Sequence, residues 1–185
     1  MINIKSLFYL KFLLLILLYN TVQADNKELF SVKGNYTGQT ISSGEWIDAG
    51  IWNKATAPDP TSDKCNLTFF HDVDYNPTGS LPWTDPFNWG NNITLLIKSG
   101  VTVTINSDLY INNNFTITIE EGGQFVVNGN VDIKNNVDGT IDGDIYISGD
   151  LTIAGGGNSS IEGDGEIIVD GEINDDNNII NPTLT

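Results

Sequence analysis

The chain has 185 residues, of which 24 are acidic and 8 basic, giving a formal net charge of −16. Every basic residue is Lys. This balance excludes nucleic-acid binding, which needs a basic face against phosphate, and argues against docking on anionic membranes or polymers. The length suits one domain with a cap, and 39% hydrophobic content suffices for a core. With 23 Asn, 19 Gly and a second half dominated by Ile, Val and Thr, the composition is that of an all-β protein.

Residues 1–24 read as a secretory signal peptide. Lys5 and Lys11 precede an apolar run, Leu13 to Leu18, and Val22-Gln23-Ala24 places cleavage after Ala24. The run is short for a membrane span, so none is expected after cleavage. The mature part would carry six Lys against 24 acids, a net −18. Cys65 is the single cysteine, which rules out an intramolecular disulfide and suits a buried small hydrophobe.

Residues 25–94 are expected to form an N-terminal cap with irregular first coils. They hold all four Trp (46, 52, 83, 89) and five of the six Pro. Residues 53–64 read as a loop and 76–90 as an irregular aromatic segment, with short ladders at 66–70 and 94–97.

Residues 95–175 repeat. One register runs Val103-Thr104-Ile105, Phe125-Val126-Val127, Ile145-Tyr146-Ile147, Ile167-Ile168-Val169. A second runs Leu109-Tyr110-Ile111, Val131-Asp132-Ile133, Leu151-Thr152-Ile153, Ile173. A third holds Ile97, Ile119, Ile141 and Ile161. Steps of 20 or 22 residues recur in all three, with Ser107, Gly129, Gly149 and Gly171 at one linker position. Three alternating strands per period fit one triangular coil of a right-handed parallel β-helix, each strand turning Ile, Val or Leu inward. The corner between Ile141 and Ile145 is two residues shorter than its equivalents. Asn106 should stack over Asn128, and Asn112 to Asn114 and Asn135-Asn136 mark another corner. An antiparallel sandwich also suits short strands at regular spacing, but gives no reason for constant registers. Residues 176–185 are expected as a C-terminal tail, opened by an acidic stop at 174–178 that discourages end-to-end stacking.

Gly44-Glu45-Trp46, Gly50-Ile51-Trp52-Asn53, a Pro-Asp-Pro loop, Asn92-Ile93-Thr94 and Ser99-Gly100-Val101-Thr102-Val103-Thr104 together resemble the opening of secreted β-helical modules. Such modules occur in large surface proteins of Bacteroidetes-type bacteria and in G8-type extracellular domains. The resemblance spans roughly residues 44–153, with an aromatic insert at 71–90 as a departure. It implies an extracellular location and a structural or adhesive role.

Several residues carry possible chemistry. The pairs Asp72/Asp74, Asp142/Asp144 and Glu162/Asp164 have the i, i+2 spacing that places two carboxylates on one strand face, as an acid/base pair or calcium ligands would need. Solvated acidic corners produce the same pairs. His71 beside Asp72 is the only histidine. The segment 136–142 resembles part of a calcium loop, but Lys134 and Ile145 stand where ligands are wanted, so the match fails. No cofactor is expected beyond weak calcium screening of acidic corners. Gly155-Gly156-Gly157 lacks the lysine and helix of a phosphate loop and reads as a flexible corner. The pairs Thr102/Thr104 and Thr116/Thr118 suggest a hydroxyl array of the ice-binding kind, but the column through Thr102 breaks at Gln124. Trp83, Phe87 and Trp89 are candidate sugar-stacking residues or, alternatively, a plug for the open end of the solenoid. Asn35, Asn66, Asn92, Asn114 and Asn158 are glycosylation sequons.

The expected function is a secreted, non-enzymatic structural or adhesive protein of the cell surface or matrix. The alternatives are a carbohydrate-binding module built on the 83–89 aromatics and a small polysaccharide-active enzyme using an acid pair. Expected partners are extracellular polysaccharide or surface and matrix proteins, with self-association left open.

Overall fold

The computed structural model describes residues 35–59, 64–77, 87–154, 159–175, 180 and 183–184. Apart from a short 3-10 turn at Ala49–Ile51, the described elements are strands. They are β1 (Asn35–Gln39), β2 (Gly44–Glu45), β3 (Lys64–Phe69), β4 (Val73–Tyr75), β5 (Phe87–Ile97), β6 (Thr102–Ile105), β7 (Leu109–Ile119), β8 (Gln124–Val127), β9 (Val131–Ile133) and β10 (Val137–Ile141). β11 (Asp144–Ile147), β12 (Leu151–Ile153), β13 (Ser160–Glu162), β14 (Glu166–Val169), β15 (Ile173–Asp175) and β16 (Thr183–Leu184) complete them.

The chain is a parallel β-solenoid. One sheet stacks β2, β4, β6, β8, β11, β14 and β16. The other stacks β1, β3, β5, β7, β9, β12 and β15, with β10 joining β7 to β13. β5 and β7 each bend in mid-course and serve two faces: the first part of β7 pairs with β9 and the second with β10. The cross-section therefore has three faces, as the three sequence registers require.

Alternation drives the arrangement. In β7 the side chains of Leu109, Ile111, Phe115, Ile117 and Ile119 are buried while Tyr110 and Thr116 lie on the outer side. The inward residues of successive coils stack: Val103 on Phe125, Phe125 on Ile145, Ile145 on Ile167. Burial of each such side chain contributes about 1.5–3 kcal/mol, and a coil can bury them only against its neighbours.

The first two registers pair as the spacing predicts, but Ile173, expected inward at the end of the second, is 37% exposed. The third holds from Ile97 through Ile119 to Ile141 and then departs, because Ile161 pairs with Gly139 and not with Ile141. Ile161 continues the Leu95–Ile117 column, which Gly139 interrupts. A residue without a side chain leaves no mark of its column, so counting isoleucines slips by two positions there. The short corner after Ile141 consequently recurs in the following coil.

The stacked coils begin at β1, within the segment expected as a cap. There they are longer, with Asn106 bonding to Asn76 across 30 residues where later coils step by 22. The excess lies in the segments after Trp52 and Tyr75. Trp46, Trp52 and Trp89 are fully or almost fully buried at this end. Trp46 Nε1 donates to the Pro58 carbonyl (3.2 Å), Trp52 Nε1 to the Trp46 carbonyl (2.9 Å) and the Tyr36 hydroxyl to the Thr56 carbonyl (2.8 Å). The loop through Ala57 is thereby fastened over the indoles. At the other end, part of the expected tail adds strand β16 beside β14, and Ile180 bridges to Ile161.

Candidate functional site

Most corner side chains with a described hydrogen bond turn toward the next coil. On one corner Asn76 donates to both carboxylate oxygens of Glu45, Asn106 Nδ2 donates to Asn76 Oδ1 (2.7 Å), and Asn128 Nδ2 donates to Asn106 Oδ1 (2.6 Å). On a second, Asn114 Nδ2 donates to Asn92 Oδ1 (3.1 Å) and Asn136 Nδ2 to Asn114 Oδ1 (3.0 Å). Stacked amides suit this role because each has a donor on one side and an acceptor on the other.

A third ladder joins side chain to backbone. The Asn130 N–H donates to Asp108 Oδ1 (2.7 Å), the Asp150 N–H to Asn130 Oδ1 (2.8 Å) and the Glu172 N–H to Asp150 Oδ1 (2.8 Å). The small residue in the linker register permits this. A Cβ on Gly149 would stand 2.3 Å from Asn130 Oδ1, and one on Gly171 2.2 Å from Asp150 Oδ1. The glycine recurrence was visible in the sequence; the acceptor it makes room for was not.

The sequon residues fall differently. Asn92 and Asn114 belong to the second ladder, and the Nδ2 of Asn114, the atom a glycan would occupy, already donates to Asn92. Asn66 is exposed on β3. The backbone of Asn35 pairs with Lys64, and Asn158 lies outside the described residues.

Trp89 is fully buried, with ring centroids 5.5 Å from Phe115, 6.1 Å from Trp46 and 6.3 Å from Phe125. It offers no ring face to a sugar, which corrects its candidacy as a stacking residue. The physical reason is register: Trp89 pairs with Ile111 and heads an inward column through Ile133. Phe87 opens the same strand as Trp89, its backbone pairs with Leu109 of β7, and Trp83 lies outside the described residues.

The acid pairs are partly engaged in structure. Asp72 Oδ1 accepts from the Thr102 N–H (2.8 Å), and Asp142 Oδ1 from the Asp164 N–H (3.5 Å). Among the described residues no three of His, Cys, Asp or Glu gather where they could hold a metal ion. Lys98 pairs with Glu120 of the next coil, whose second oxygen accepts from the Ser99 N–H at 3.2 Å. The hydrogen bond from Lys98, then that from Ser99, holds the Glu120 carboxyl below the usual glutamate range. Thr102 pairs with Gln124, as expected. Thr116 and Thr118 lie on another face, beside Thr94 and Leu96 on one side and Asp138 and Thr140 on the other. The Gly155–Gly157 corner lies outside the described residues.

At the corner after β3 the sequence offers His71 and Asp72 as candidates but gives no role to the residues beside them. There Ile41 is 54% and Phe70 46% exposed. The signal was the doublet Phe69-Phe70, since alternation in a strand turns one of two adjacent aromatics outward. Phe69 is the buried member.

Among the described residues no helix is long and apolar enough to cross a membrane. Comparisons with protein-family models, with curated proteins and with solved structures returned no match.

Proposed function

We propose that this chain is an extracellular, non-enzymatic scaffold that presents an adhesive surface. The observation that carries the reading is the disposition of polar side chains. Asn76, Asn106 and Asn128, Asn92, Asn114 and Asn136, and Asp108, Asn130 and Asp150 bond coil to coil along the axis instead of converging on a pocket. A row of that kind fixes coil spacing and keeps the faces regular, which is what a presenting surface needs. The signal-peptide-like segment 1–24 and the resemblance of residues 44–153 to secreted β-helical modules support export. The acidic balance adds that anionic partners would be repelled.

The test has two arms. Expressed with its own leader in a secreting host, the chain should reach the medium or cell surface with Asp25 as its new N-terminus. Coated on beads, the purified protein should promote attachment of cells or extracellular polysaccharide and turn over no polysaccharide. Retention inside the cell, or turnover abolished by Asp72→Asn or Asp142→Asn, would overturn the reading.

A further inference from the structure

Ile41 and Phe70 are the two most exposed large hydrophobic side chains among the described residues. They sit in adjacent coils at one corner: Gln39 pairs with Thr68, and the Thr40 N–H donates to the Thr68 carbonyl at 3.0 Å. Thr40 itself is almost completely buried. Its Oγ1 accepts from the N–H of Phe70 (2.9 Å) and from that of His71 (3.1 Å). A buried hydroxyl thus anchors the backbone of an exposed ring, so Phe70 is held in place and does not lie on a loose loop.

The surroundings are polar in both senses. Lys98 follows Ile97, the partner of Phe69, and its N–H donates to the Phe69 carbonyl (3.1 Å), so it occupies the same corner one coil on. Its ammonium pairs with Glu120 in the coil beyond. His71 is half-buried, and its Nδ1 is enclosed with no hydrogen-bond partner.

We propose that the corner formed by Ile41, Phe70, His71 and Lys98 binds a sugar ring of a neutral polysaccharide, stacked on Phe70. The inference rests on the adhesive reading above and names its partner class. An aromatic face beside an aliphatic side chain matches the apolar face of a pyranose. The imidazole and ammonium can donate to the ring hydroxyls, and the Glu120 carboxylate can accept from them. Two exposed apolar side chains do not make the large contiguous apolar patch that marks a protein interface, which disfavours a second copy or another protein. A net charge of −16 disfavours a polyanion.

The experiment is affinity electrophoresis of the full chain in gels carrying laminarin, xylan, galactomannan or hydroxyethylcellulose, with alginate as the anionic probe. At least one neutral polymer should retard the protein. Phe70→Ala should weaken that binding about tenfold, the size of losing one aromatic contact. Phe70→Tyr should retain it, and Tyr110→Ala, on a different face, should leave it unchanged. Circular dichroism establishes that each variant is folded. Retardation by none of the neutral polymers, or by alginate alone, overturns the proposal. So does full binding by folded Phe70→Ala, or an equal loss in Tyr110→Ala. Concentration-dependent self-association that Phe70→Ala abolishes, without glycan binding, assigns the patch to a protein contact and also overturns it. If beads still capture cells while every glycan arm is negative, only this inference falls; if capture fails too, the adhesive reading falls with it.

Discussion

Asn114 donates to Asn92 at 3.1 Å across 22 residues, and both hold left-handed backbone, with φ of 50° and 62°. Asn136, the next rung, is also left-handed at 33°. The two properties belong together. The corner bends a continuous strand between two faces and needs positive φ, which Asn tolerates better than other side-chain-bearing residues. The same amide then bonds to its copy in the next coil.

Substitution separates the two contributions. Asn114→Gly keeps the left-handed backbone and loses the ladder bonds, at about 1 kcal/mol. Asn114→Ala loses the bonds and also strains the backbone, at about 2–3 kcal/mol in all. Urea unfolding of the two variants checks the order. Ala no more costly than Gly would show that the amide ladder, and not the bend, sets the choice of residue.

Gly149 should be intolerant for a different reason. Its φ is unremarkable, but a Cβ would meet Asn130 Oδ1 at 2.3 Å and the Gly129 carbonyl oxygen at 2.8 Å. Gly149→Ala is expected to destabilise by about 1–3 kcal/mol through overpacking. Asn130→Ala removes the acceptor of the Asp150 N–H and is expected to cost about 1 kcal/mol. The double variant should cost less than the two single variants together, because removing the Asn130 amide clears part of the space the methyl needs. Strict additivity in denaturant unfolding would show that the clash lies with backbone alone.

The same residues explain how much was legible in the sequence. Three inward registers could be read because Ile, Val and Leu recur at a fixed step and stacked coils must repeat to bury them. The Asn106–Asn128 stack and the asparagine-rich corner at 112–114 were visible for the same reason. The register of Ile161 was missed because its neighbour Gly139 carries no side chain. The early coils were obscured because loops of different length interrupt the period. Whether Trp89 plugs the end of the solenoid or stacks on a sugar stays open in the sequence, because its strand follows Pro-rich chain and nothing local shows which face of that strand turns inward. The Phe70 corner depends on a contact from Thr40, 30 residues earlier, which no local pattern reveals.

Glu120 makes stability depend on acid pH. Hydrogen bonds from Lys98 and Ser99 lower its folded pKa below the ordinary value. The stabilisation is therefore present above the unfolded glutamate pKa and is lost as pH falls through the folded one. Glu120→Gln should lower the melting temperature near neutrality by a small amount, as expected of an exposed pair. The gap from the unsubstituted protein should narrow as pH falls below about 4 and as salt is raised. A gap constant across that range would mean that the carboxylate charge contributes nothing.

Tyr146 should act on the alkaline side. Its hydroxyl donates to Asp170 of the next coil, and that bond, followed by burial and then the nearby carboxylate charge, raises its pKa above the ordinary tyrosine value. A raised folded pKa stabilises below the unfolded value, and the stabilisation disappears as pH rises through the folded one. In ultraviolet titration of the phenolates, Tyr146→Phe should remove a tyrosine that ionises later than the ordinary value of about 10. The same variant should lose less stability than the unsubstituted protein when pH is raised past that point. Loss of an early-titrating tyrosine instead would mean that Asp170 does not accept from this hydroxyl in solution, and the bond between these coils would have to be reassigned.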